Sequence, residues 1–174
     1  LGQVDTVLSG GHSLVQNVYD PQTALPIEEY RNGVLRFTLD WNTDGTLKWA
    51  DDALDQRTGL YNWMRGIPQL IVYPDGTTSS AVVNARGEIT SITDPLGFTH
   101  TYQYDAMGRV SQVNYPTGDP IACQPTQSTF EPVGYAEYGL PAGHWRQTVA
   151  TGNHRRITYF DAGWRPVLTH EFDA

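Results

Sequence analysis

Residues 98–104 alternate strictly between two kinds of side chain. Phe98, His100, Tyr102 and Tyr104 fall on one side of an extended chain, and Thr99, Thr101 and Gln103 on the other. That period of two is the mark of a β-strand. Most other segments are shorter and less clean, Glu88–Thr93 among them, but they are rich in Thr, Val, Ile and Tyr, which suit a pleated surface. Turn signals separate them at Asn42–Gly45, Pro74–Gly76, Asn84–Gly87, Asp94–Gly97, Asp105–Gly108 and Pro116–Gly118. Asp-Gly and Pro-x-Gly supply the positive φ angles that hairpins need without a Cβ clash. The pattern predicts strands near residues 34–41, 46–51, 67–73, 78–83, 88–93, 98–104, 109–115, 144–150, 155–160 and 166–172. No amphipathic helix is predicted; Asp51–Asp55 reads as a single helical turn. Neither face of the strands is strongly apolar, as the inner face of a two-sheet sandwich would be. The expected fold is therefore all-β: a repetitive antiparallel meander of hairpins forming one long curved sheet, held by its ladder and by aromatic cross-strand pairs.

A second pattern lies over the first. Tyr104-Asp105-Ala106-Met107-Gly108-Arg109-Val110 has weaker copies at Trp41–Leu47 and Val83–Ile89, and a looser one at Tyr61–Ile67 with its glycine one place late. The Asp or Asn positions are 42, 62, 84 and 105, in steps of 20, 22 and 21. A fixed period of this size marks a repeat architecture, in which each unit is completed by its neighbours. The organisation that follows is an aperiodic segment 1–33, repeats over 34–118, a proline-containing insertion loop over 119–143, and divergent repeats over 144–174. The residues expected to carry the repeat are Asn42, Gly45, Asn84, Gly87, Asp94, Gly97, Tyr102, Tyr104, Asp105, Gly108, Arg109, Phe160, Asp161 and Arg165. In the clearest copy Tyr104 is a cross-strand partner, Asp105 accepts backbone N–H bonds as an Asx turn does, and Gly108 takes the positive-φ position. Arg109 is expected to pair with a carboxylate of an adjacent repeat, giving a rung of contacts along the sheet.

Composition narrows the chemistry. Eleven Lys and Arg against nineteen Asp and Glu give a net charge of −8. Binding to nucleic acid needs clustered cations, and Arg155-Arg156 is the one basic pair, so a nucleic-acid partner is not expected. A membrane-spanning apolar run is absent from the sequence. The single Cys123 has no second cysteine to bridge. The five histidines, at 12, 100, 144, 154 and 170, show no metal-ligand spacing, and there is no Gly-x-Ser-x-Gly elbow or phosphate loop. The expectation is thus no catalytic residue, no metal and no cofactor. A binding alternative rests on the five tryptophans and ten tyrosines, which offer flat faces to sugars; Trp145, between His144 and Arg146, is the candidate glycan contact.

Asp94-Pro95-Leu96-Gly97, then Thr101–Val110, then Tyr115-Pro116-Thr117-Gly118, closely resembles the Rhs (rearrangement hotspot) or YD-repeat family. Thr158–Val167 looks like a divergent copy, with Phe160 at the usual Tyr and Trp164 at the usual Gly. The resemblance implies a segment of a β-sheet shell that surrounds a C-terminal toxic passenger domain in bacterial members, which are exported or displayed on the cell surface and often associated with carbohydrate binding. Width limits what 174 residues can enclose. About 13 strands at roughly 4.8 Å span about 60 Å. Rolled up, that sheet is about 20 Å across, too narrow for a domain whose radius of gyration is about 13 Å. The chain is therefore expected to be a non-catalytic wall segment whose open edges pair with further repeats of the same or another chain. A self-assembling extracellular fibre or a surface adhesin is the alternative.

Overall fold

The structure, a computed structural model, describes residues 6–10, 12–118 and 123–174. The first residues of the 1–33 segment, Gly11, and residues 119–122 of the expected insertion lie outside the described residues. Among those described there are fifteen strands and no helix, in a single open antiparallel sheet whose strand order is the order of the chain. The chain divides into two compact units, Leu1–Gly87 and Glu88–Ala174, and the division falls inside the periodic region.

The first unit holds β1 (Thr6–Ser9), β2 (His12–Tyr19), β3 (Pro26–Arg31), β4 (Val34–Trp41), β5 (Leu47–Asp52), β6 (Arg57–Met64), β7 (Ile67–Val72) and β8 (Thr78–Val83). The second holds β9 (Ile89–Thr93), β10 (Thr99–Tyr104), β11 (Val110–Asn114), β12 (Thr126–Pro132), β13 (Trp145–Thr151), β14 (His154–Phe160) and β15 (Pro166–Asp173). Ten of these lie on the predicted segments; β1, β2, β3, β6 and β12 do not. The stretch read as aperiodic is thus mostly strand, and the stretch read as an insertion loop contains β12. The helical turn expected at Asp51–Asp55 does not form, because β5 continues through Asp52 and the chain then reverses.

Seven of the reversals share one geometry, beginning at Asn42, Asp52, Tyr73, Asn84, Asp94, Asp105 and Asp161. The N–H of the fourth residue donates to the C=O of the first at 2.9–3.0 Å. The fourth residue sits in the left-handed region, with φ between 58° and 87°. This is a tight turn closed by a left-handed residue, which adds a bulge to the ladder. The register shifts at Asp40/Trp41, Gln103/Tyr104 and Tyr159/Phe160 are those bulges. Two carboxylate arrangements support the corner. In the turns beginning at Asp52, Asn84, Asp94, Asp105 and Asp161, Oδ1 of the first residue accepts the N–H of the third at 2.8–2.9 Å. In the turns of Asp52, Asp94, Asp105 and Asp161 it also accepts the N–H of the fifth, at 2.9–3.0 Å. In the turns beginning at Asn42 and Tyr73 the acceptor is the third residue, Asp44 or Asp75, which takes the N–H and hydroxyl of Thr46 or Thr77.

The expected copy at Tyr61–Ile67 is a different object. Arg65 and Gly66, with φ of 53° and 80°, make a two-residue turn between β6 and β7, the mirror-image geometry that matches strand twist. Asn62 lies within β6 and is not a corner acceptor. The lateness of Gly66 in the motif was the sign of a shorter turn.

Burial is shallow throughout. In β10, half-buried His100, Tyr102 and Tyr104 alternate with exposed Thr99, Thr101 and Gln103. Among the described residues only Gly59, Val83, Val133, His144 and Tyr159 are buried. Cohesion therefore rests on the ladder, the corners and aromatic tips that reach across strands. Trp41 Nε1 donates to Pro26 O at 2.6 Å, Trp63 Nε1 to Leu47 O at 2.9 Å and Tyr104 Oη to Ile89 O at 2.7 Å. Each ties the end of one strand to the start of the strand before it.

Gly87 and Gly97 give a controlled comparison, since both have φ of 87°. A Cβ on Gly87 would lie 3.3 Å from Arg65 Cβ, whereas one on Gly97 meets nothing within 4 Å. Both Gly→Ala variants carry the left-handed cost of roughly 1 kcal/mol. Gly87→Ala adds the displacement of the neighbouring turn and is expected to melt several degrees below Gly97→Ala by circular dichroism. Equal midpoints would refute the contact.

Candidate functional site

Two repeat corners in the second unit carry an extra bond. Arg109 Nε and Nη2 each reach Asp105 Oδ2 at 2.7 Å, and Arg165 Nε and Nη2 reach Asp161 Oδ2 at 2.9 and 2.7 Å. Arginine thus closes its own corner instead of bridging to an adjacent repeat. The reason is geometric: the left-handed fourth residue folds the fifth back over the first. A carboxylate whose Oδ1 already takes two N–H groups presents its Oδ2 to a planar fork.

These bonds hold both carboxyls below the usual carboxylate range, chiefly through the backbone N–H of Arg109 on Asp105 and of Arg165 on Asp161. The phenol of Tyr104 is pushed the other way, by burial and by the nearby Glu88, so it stays protonated and able to donate to Ile89 O. The remaining expected positions also serve the fold. Gly45, Gly87, Gly97 and Gly108 take the left-handed place. Asn42 donates to Thr46 Oγ1 at 2.9 Å. Asn84 and Asp94 are corner acceptors. Tyr102 lies on the half-buried side of β10.

The guanidinium of Arg109 lies over the ring of Phe130, 4.8 Å from its centroid. In the first unit, Arg57 does the same over Trp49 at 3.9 Å while bonded to both oxygens of Asp51. Phe130 opens an aromatic group on one face of β12–β14. It stacks on Trp145 at 5.1 Å and on Trp164 at 5.4 Å, and meets Phe160 edge-on at 5.5 Å. Trp145 and Trp164 stack at 5.1 Å. Register explains the grouping: Trp145 pairs with Phe160 on one side and with Pro132 on the other, and Phe130 lies two residues from Pro132 on the same face. Trp164 takes the left-handed place of its corner at φ 61° and is 57% exposed. Trp145 packs among these rings, and the open ring of the group belongs to Trp164.

The opposite face of the same strands is covered by residues 133–144. Val133 and His144 close the neck of that loop, with Val133 N–H donating to His144 O at 2.8 Å and Gly143 N–H to Val133 O at 2.7 Å. Beneath it Tyr159 is 3% exposed and meets the ring of Tyr138 at 5.1 Å. Arg146 bonds Glu131 at 2.7 Å on that face. No group of three or more His, Cys, Asp or Glu that could hold a metal occurs among the described residues. No helix among them is long and apolar enough to cross a membrane.

Residues 83–120 match the family model described as RHS Repeat. That span contains β9, β10 and β11 with the corners of Asn84, Asp94 and Asp105. Residues 83–120 are thus similar to an Rhs repeat segment. Among solved structures, a Tc holotoxin pore from Photorhabdus luminescens is similar over 97% of this chain and 12% of its own, at 11% identity and a TM-score of 0.27; a likeness at that level carries no argument. No curated protein matches.

Outside the matched span, the corner of Asp161 repeats the hydrogen bonds of the Rhs corner at Asp105, with tryptophan in place of glycine. Phe130 was not legible as a partner of the repeat, because it lies between prolines in a stretch with no period. Trp164 was visible only as a departure from the motif.

The depressed carboxyls set an acid limb. Asp105 and Asp161 stabilise the fold fully above the unfolded carboxylate value of about 3.9, and that contribution is lost as pH falls through their lower folded values. The thermal midpoint is expected to hold from neutral pH to about 5 and to fall below about 4, with a shallower fall in the double variant Asp105→Asn, Asp161→Asn. A double variant that falls as steeply as the parent would refute the assignment.

Proposed function

We propose that this chain is a structural, non-catalytic wall segment of an exported or surface-displayed Rhs/YD-repeat protein, enclosing or displaying a passenger domain. The supporting observation is where the motif side chains are spent. The carboxylates of the Asp105 and Asp161 corners accept two backbone N–H groups and a guanidinium each, so these polar residues of the repeat are engaged in turning the chain. A sheet of this kind extends by adding further strands at an open edge. Residues along β15 are exposed over its whole length, which suits continuation by further repeats. Fifteen strands at roughly 4.8 Å give about 70 Å of sheet, too little to surround a domain, so enclosure needs more repeats from the same or another chain. Limited proteolysis of the polypeptide from its native source tests this reading. A wall protects sequence other than residues 1–174 until the sheet is denatured. If all other sequence is cut as fast as in the denatured protein, enclosure is refuted.

A second reading, a glycan-binding surface, is favoured by the exposed ring of Trp164 beside Trp145 and Phe130. Its open face suits the C–H side of a sugar ring. Binding on a glycan array that disappears in Trp164→Ala, with the melting midpoint largely kept, is the expected result. An array with no hits, or hits unchanged by the substitution, retires it.

A further inference from the structure

His144 is the buried imidazole of the loop, its side chain 1% exposed, and no role in the repeat uses it. Both of its ring nitrogens face acceptors. Nδ1 lies 2.9 Å from Pro141 O, and Nε2 lies 3.2 Å from Glu137 Oε1. A carbonyl oxygen only accepts, so Nδ1 carries a hydrogen. A neutral imidazole then has none left for Nε2, whose lone pair would face the carboxyl. The second bond needs one more proton, on the imidazole or on the carboxyl.

The surroundings decide which. Arg146 Nη1 stands 3.8 Å from the same Glu137 oxygen, while Arg146 Nη2 is bonded to Glu131 at 2.7 Å. The guanidinium is held firmly in its charged form, chiefly by Glu131. The Arg146 cation thus stands beside the Glu137 carboxyl, which leaves the imidazole as the place for the second proton. The rest of the shell is phenolic: Tyr159 from β14, whose ring is 6.1 Å from that of His144, with Tyr138 from the loop against Tyr159. Burial pushes the Tyr159 hydroxyl up, with Glu137 adding to the effect, so it stays neutral. The charges facing His144 are therefore one anion from the loop, Glu137, and one cation from β13, Arg146, itself matched by Glu131 on β12.

We infer that the loop 133–144 is a proton-dependent clasp. The imidazolium of His144 bridges Pro141 O and Glu137, pinning the middle of the loop to its C-terminal end over Tyr159. Losing that proton sets a lone pair against a carboxylate and releases the loop from the β13–β14 face. Proton gain closes it and proton loss opens it, with the sheet ladder of β13 and β14 unchanged.

Amide hydrogen exchange on the intact chain tests this, read as protection factors so that the intrinsic pH dependence of exchange is removed. The reporters are the Val133 and Gly143 amides at the neck, with β13 amides as the internal reference. From about pH 5.5 to about 8.5, the range over which histidines titrate, neck protection is expected to fall roughly tenfold or more relative to β13. Glu137→Gln separates the proton from the fold. Its side-chain amide can donate to a neutral Nε2 or accept from a protonated one, so the neck of this variant stays protected at both pH values. Nitrogen-15 spectra of the ring are expected to show hydrogens on both nitrogens at the acid end. Neck protection equal at both pH values in the parent, a Glu137→Gln variant that loses protection as the parent does, or a ring with one hydrogen at acid pH would each overturn the clasp.

Discussion

A chain that reverses direction about every ten residues must satisfy the backbone groups stranded at each corner, and in this protein nearly everything else depends on how it does so. An unpaired N–H or C=O is costly once water is excluded. A shallow sheet with five buried residues among those described has little apolar burial to offset that cost. The corner solves this locally. One carboxylate gathers two N–H groups, the fourth residue turns left-handed, and the ladder resumes with a bulge. Because the solution involves five consecutive residues, it can be repeated without reference to the rest of the fold, which is how a 21-residue period arises. The same economy explains why positions differ in tolerance. Asp52, Asp94, Asp105 and Asp161 do the same job on different sequences, and Asp44 or Asp75 does it from the third place, with a threonine supplying the matching hydroxyl.

Where the period fails, the physics changes. Residues 133–144 form a longer excursion, with a two-residue turn at Tyr138-Gly139 between Glu137 and Leu140, and the loop folds onto the sheet instead of closing as a corner. That fold-back produces three of the five buried residues, Val133, His144 and Tyr159, and with them a buried imidazole that needs its own partners. The two faces of β12–β14 consequently differ in character. One carries stacked rings, with Trp164 open to solvent; the other carries a polar cluster under a loop. This is where the structure departs most from pure scaffolding, and both the glycan reading and the clasp arise from it.

The scaffold reading and the clasp are compatible because they draw on different groups. The carboxylates of Asp105 and Asp161 are committed to backbone N–H groups and work best ionised, so they act on the acid side of stability. The His144 bridge depends on retaining a proton and is weakened toward alkaline pH. A repeat sheet can in this way keep its ladder intact while one loop responds to proton concentration, since the loop is attached by side-chain bonds and the ladder by backbone bonds.

Much of this was legible from local chemistry. The alternation in Phe98–Tyr104, the Asp-x-x-Gly corners and the Rhs resemblance all follow from interactions within a few residues, and so the all-β meander was readable from sequence. Strands such as β2, β6 and β12 were not, because they lack corner residues at the expected offset: β6 ends in a two-residue turn, and β12 sits between prolines. What the sequence by itself determined is the corner and its recurrence, since carboxylate, left-handed residue and arginine lie within five positions of one another. Only the tertiary structure decided that Arg109 lies over Phe130, that Trp164 stacks on Trp145, and that His144 meets Glu137 beneath a loop. Those contacts depend on strand register and on how a long connection folds back, and neither is encoded in any short stretch of residues.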